Sequence, residues 1–144
     1  MIYNSKGTID SEKIAYEFAK KLDMGGIKNA FIAMRGEMGV GKTAFVRGFA
    51  SYFGIKGVKS PTYSIVNEHK SDATSIFHFD MYRVESEDDL LSVGFYDYLS
   101  RPGYSIVEWS ENIEEFIPID AIYVTISRNP ENQDYRTIEI SEDF

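Results

Sequence analysis

No cysteine occurs among the 144 residues, so the chain can build neither a disulfide framework nor a thiolate metal site. Basic residues are scarce against acidic ones, 15 to 23, and the net charge of −8 opposes the sequence-independent attraction to nucleic acid that clustered Lys and Arg supply. If RNA is involved, protein partners are expected to hold it. The two histidines, His69 and His78, are too isolated in sequence to suggest a metal site, and His78 is expected to pack in or beside a sheet. No apolar run near the N-terminus is long enough for a signal sequence or a membrane span, which together with the lack of cysteine points to the cytoplasm. Internal repeats, low-complexity linkers and charged tails are also missing.

What is present suits one domain. With 43% hydrophobic and 15% aromatic residues the chain can fill a single core, whereas a second domain would leave both halves undersized, so residues 1–144 are read as one unit. Ile14, Ala15, Phe18, Ala19 and Leu22 recur at helical spacing after Asp10 or Ser11 as a cap, and Gly25-Gly26 ends that helix. Ala30 to Arg35 is a short apolar run that fits a buried strand. A helix from about Lys42 to Phe53 then presents Phe45, Val46, Phe49, Ala50 and Phe53 on one face and stops at Gly54. Thr62 to His69 and Ser75 to Asp80 read as a hairpin around the polar tract from Lys70 to Thr74. Ser86 is placed to cap a short helix, and a second helical piece covers Phe95 to Leu99 before Pro102-Gly103. Tyr104 to Trp109, Ala121 to Ser127 and Tyr135 to Ile140 are the remaining strand-like runs. Alternating strands and helices predict an α/β fold, a three-layer sandwich whose mixed sheet is mostly parallel with antiparallel additions.

The segment from Gly36 to Thr43, GEMGVGKT, satisfies G-x-x-x-x-G-K-[ST] at every fixed position and lies between a predicted strand and a predicted helix. Such a loop wraps a polyphosphate with backbone N–H groups, and the helix start that follows adds partial positive charge. Lys42 supplies the full charge to the β- and γ-phosphates and Thr43 a hydroxyl for Mg²⁺. Glu37, Met38, Gly39, Val40, Gly41, Lys42, Thr43 and Ala44 are therefore the candidate nucleotide-binding residues, with ATP or ADP and Mg²⁺ as ligands. Asp80 and Glu108 each end an apolar run, at the carboxyl edge of the sheet where α/β proteins bind ligands. Asp80 can hold Mg²⁺ directly or through water, and Glu108 can complete the metal shell or orient a water; either acid can instead be a solvated or helix-capping carboxylate. Thr62, in Ser60-Pro61-Thr62-Tyr63, either senses the γ-phosphate or belongs to a turn in which Pro61 starts a strand. Arg83 can pair with phosphate or with Glu85.

The blocks GEMGVGKT, KSPTYSIVNE, HFDMYR, VGFYDY and VEWSE, in this order between Ile14 and Glu111, resemble the TsaE family. The resemblance implies the ATPase component of bacterial tRNA threonylcarbamoyladenosine synthesis. It further implies that ATP binding and slow hydrolysis support a TsaB–TsaD heterodimer acting on an adenosine beside the anticodon, with tRNA contacted only through that complex. It gives Lys42 and Thr43 the phosphate and Mg²⁺ roles and makes Thr62, Asp80 and Glu108 the switch and metal-site residues. Trp109 lies next to the active site on this basis, and Gly94, Asp97 and Tyr98 form a packing element near the nucleotide. Met81 stands where leucine is commoner in the family, and the tail after Ile140 is short. Two rivals share the motif. A small-molecule kinase needs an arginine-bearing lid, for which no clustered arginines are seen, and a non-catalytic nucleotide-gated module changes only its affinity for a partner. A GTPase lacks its N-K-x-D motif here.

Overall fold

The computed structural model describes residues 1–37, 39–61 and 64–141, so the expectations for Met38, Thr62 and Tyr63 lie outside the described residues. The elements follow in chain order. Strand β1 (Ile2–Ser5) leads into helix α1 (Thr8–Met24), strand β2 (Ala30–Arg35) and helix α2 (Lys42–Tyr52). Strands β3 (Val66–Lys70) and β4 (Ser75–Asp80) precede the short helices α3 (Glu87–Ser92) and α4 (Phe95–Leu99). Strand β5 (Tyr104–Glu108), a 3-10 segment (Ser110–Phe116), and strands β6 (Ile122–Arg128) and β7 (Arg136–Ile140) complete the chain.

Among the described residues seven strands form one sheet in the order β1-β7-β6-β2-β5-β4-β3. Strands β6, β2, β5 and β4 pair in parallel, and antiparallel pairings add β7 and β1 at one edge and β3 at the other. Both faces of the centre are covered, which is why β2, β4 and β5 read as continuous apolar runs. Alternate residues divide between two cores: Ile32, Met34, Ile76 and Ile106 pack beneath α1 and α2, and Phe31, Ala33, Phe77, Phe79 and Val107 beneath α3, α4 and the 3-10 segment. The result is the expected α/β three-layer sandwich.

Helix α1 begins two residues before the expected Asp10 cap. Gly7 occupies the cap position, Asp10 instead accepts the Lys6 N–H at 2.9 Å, and buried Ser11 pairs its hydroxyl with that of Ser5 at 2.7 Å. Ser86 does stand at the cap of α3, but its side chain makes no capping bond, and the Asp89 carboxylate takes the neighbouring Glu85 N–H at 2.9 Å. Helices α1 and α2 approach so closely that a Cβ on Gly48 would sit 2.3 Å from the Glu12 carbonyl oxygen. The pair also shares the Arg47–Glu12 ion pair at 3.0 Å and a tilted stack of Phe18 on Phe49. Beneath them, the Tyr104 hydroxyl donates to the Ile27 carbonyl at 2.6 Å, and burial, aided by the charges of Asp23 and Tyr52, pushes it up to about 12.

Candidate nucleotide site

Parallel pairing aligns the carboxyl ends of β2, β5 and β4, with Asp80 in register opposite Glu108. The loop after β2 is shaped by close approach. Gly36 has φ 152°, and a Cβ there would lie 2.6 Å from the Ile126 carbonyl oxygen and 2.9 Å from Val40 Cγ2, so a larger residue would push the loop off β6. Gly41 caps α2 through its backbone with no side-chain hydrogen bond, leaving the first-turn N–H groups available to an acceptor in front of the helix.

Around that helix start lies a cleft of about 460 Å³ that brings together Lys42, Thr43, Asp80 and Glu108 with Ser60 and Trp109. Lys42 is only 6% exposed. Its Nζ donates to the Gly36 carbonyl at 2.8 Å and stands 4.4 Å from the centroid of the Trp109 ring, so its charge is held by a dipole and a π face. Trp109 adopts the left-handed conformation at φ 56°, unusual for a bulky residue, as the chain turns from β5 into the 3-10 segment. A line of short contacts crosses the cleft floor: Thr43 Oγ1 is 2.5 Å from Ser60 Oγ, Ser60 donates to Glu108 Oε2 at 3.3 Å, and His78 Nε2 lies 2.5 Å from the same oxygen. Asp80 is half-buried and accepts the Tyr82 N–H at 3.0 Å, so part of its capacity stabilises the turn after β4.

The other expected residues fall around this cleft in different ways. Gly39, Gly41 and Ala44 line it, whereas the Glu37 side chain is exposed and pairs with Arg128 at 3.2 Å. Val40 is buried, and its carbonyl accepts Arg136 Nε at 3.1 Å. Met38 and Thr62 lie outside the described residues. Arg83 is exposed away from the cleft. Tyr98 stacks on Phe77 and Phe79, and Gly94 caps its helix, so with Asp97 this element packs on the sheet face opposite α2 and away from the cleft.

A smaller cleft of about 140 Å³ shares Gly39, Gly41 and Ala44 and continues to Thr8, Ser11 and Arg136. Sequence reasoning missed this cleft along with the roles of Ser60 and His78. His78 carried a signal, since a polar ring inside the apolar run Ile76-Phe77-His78-Phe79 needs a buried partner.

A family model described as threonylcarbamoyl adenosine biosynthesis protein TsaE matches residues 6–138. The chain belongs to the TsaE family. It is 33% identical over 126 residues to the tRNA threonylcarbamoyladenosine biosynthesis protein TsaE of Bacillus subtilis, covering 87% of this chain and 74% of that one. The same-named Haemophilus influenzae protein is 35% identical over 114 residues, covering 78% and 70%. In fold, the chain is similar to the crystal structure of Bacillus subtilis YdiB, with a TM-score of 0.74 at 24% identity over 96% of this chain and 82% of that one. Family membership thus accompanies a site whose charged side chains come from the strand-end edge, the α2 start and Arg47 further along α2.

The donor set fits the group that the motif implies. Two carboxylates and a hydroxyl are hard oxygen donors of the kind Mg²⁺ takes beside phosphate oxygens, and a helix start without a side-chain cap, together with a buried lysine, suits the phosphates.

Proposed function

We propose that this chain binds Mg²⁺-ATP in the larger cleft and hydrolyses it slowly, in the bacterial cytoplasm, to support tRNA threonylcarbamoyladenosine synthesis by a TsaB–TsaD complex. The observation that carries the reading is Lys42: a cation buried at a helix start, held among the described residues by a carbonyl and a ring, and lining one cleft with Asp80 and Glu108. Lys42 would give its charge to the phosphates, the loop and first-turn N–H groups would donate to them, and Thr43, Asp80 and Glu108 would hold the metal. Bound Mg²⁺ would offset negative charge on the phosphates during their cleavage. Glu108 would also orient the attacking water. The smaller cleft, which shares Ala44 and is bordered by Thr8 and Arg136, would take the nucleoside. The net charge of −8 suits protein docking better than direct contact with tRNA.

One observation favours a second reading, a nucleotide-gated module without essential hydrolysis: Glu108 Oε2 already receives both His78 and Ser60. Phosphate release from Mg²⁺-ATP separates the two. The ATPase reading expects slow release by the chain alone, clear stimulation by purified TsaB–TsaD, and loss in Glu108→Ala. Equal rates in wild type and Glu108→Ala would favour the gated module, and indifference to the partners would remove the partnership.

A further inference from the structure

His78 is fully buried in β4, on the sheet face that carries α2 and two residues before Asp80. A polar ring there is costly unless bonded. Its one hydrogen-bond partner among the described residues is Glu108 Oε2, at 2.5 Å. An ionised carboxylate only accepts, so the ring proton of this contact sits on Nε2. The other nitrogen, Nδ1, is buried with no partner among the described residues. A histidine serving only to fill a sheet gains nothing from an orphaned nitrogen, whereas one fixing a neighbouring carboxylate needs a single well-aimed donor. Strand pairing supplies the aim: β4 and β5 run parallel with His78 opposite Ile106 and Asp80 opposite Glu108, so one strand provides a cleft carboxylate and the anchor for the second.

We propose that His78 is a positioning residue, whose Nε2–H fixes the Glu108 carboxylate by Oε2 so that Oε1, which accepts no hydrogen bond among the described residues, is the oxygen offered to the cleft. The proposal rests on the ATPase reading of that cleft. Without the anchor, Glu108 is left with the longer Ser60 contact to Oε2 at 3.3 Å and loses its fixed orientation, which acts on turnover more than on nucleotide binding.

The test uses the full chain and Mg²⁺-ATP. His78→Met removes the donor at similar volume, and His78→Gln keeps an N–H. The methionine variant should lower kcat about 10-fold or more with KM changed less than about 2-fold, and the glutamine variant should return kcat to within about 3-fold of wild type. Because the chain has two histidines, ring ¹⁵N NMR reads the contact directly: an Nε2-protonated His78 with a deshielded proton that disappears in Glu108→Ala. An Nδ1-protonated ring, an unchanged kcat in folded His78→Met, or a glutamine variant no better than methionine would overturn the proposal. Should the methionine variant not fold, the ring signal of the wild-type chain decides. Wild-type phosphate release no faster than that of Glu108→Ala overturns the ATPase reading itself, whereas wild-type turnover with an indifferent His78→Met overturns only the role of His78.

Discussion

A lysine with its charge resting on a carbonyl oxygen and an indole face is poised for exchange, because neither partner matches an anionic phosphate. Replacing it should cost a charge-assisted hydrogen bond, about 1.5–3 kcal/mol, so Lys42→Ala should weaken Mg²⁺-ATP binding by about 10-fold or more in calorimetric titration. Unchanged affinity would remove Lys42 from the site. At this scale the sequence displayed what is local and hid what is not. Lys42 and Thr43 stand in a contiguous motif whose spacing is itself the chemistry. The Thr43–Ser60 and His78–Glu108 contacts join residues 17 and 30 positions apart, and they depend on how the chain after α2 returns and on the register of β4 against β5. Periodicity carries no information about either.

Among the elements, the helix pair is the most demanding. A methyl group at Gly48 would meet the Glu12 backbone itself, which no rotamer change relieves. Gly48→Ala should therefore destabilise the fold by about 1–3 kcal/mol through overpacking, seen as a lower urea midpoint, despite the better helix propensity of alanine. Tyr104 adds a pH test. Its unfolded value is near 10.0 and its folded value about 12, so above pH 10 the unfolded chain releases this proton while the native state retains it. Its contribution is complete below pH 10 and falls away towards pH 12, and urea midpoints should decline less steeply over that window in Tyr104→Phe than in wild type. The long periodic elements were legible because one helical face or a whole apolar run had to be buried: α1, α2, β2, β4 and β5 stand close to where the spacing placed them. Strand β1 has no such pattern, being four residues at the sheet edge of which only Ile2 and Asn4 are exposed, and it is held by pairing with β7 that no local signal announces.

For the molecule as a whole, architecture and site are one decision. Strands β2, β4 and β5 run parallel in the centre, so their carboxyl ends meet, and chemistry-bearing residues scattered from Gly36 to Glu108 gather at one edge. The antiparallel strands on both flanks extend the sheet, and Arg136 at the start of β7 reaches that edge by donating to the Val40 carbonyl. The alternation of strand-like and helical runs allowed an α/β domain to be expected, but the second cleft depends on Arg136 of β7 meeting the start of α1, a long-range juxtaposition. The backbone contact at Gly48 gives that juxtaposition a mechanical meaning. Helix α1, a rod of about 25 Å, is locked to α2 near its own N-terminal end. The two helices therefore pack as one stiff unit, so that a tilt of α2 would carry with it the start of α1, where Thr8 and Ser11 border the smaller cleft.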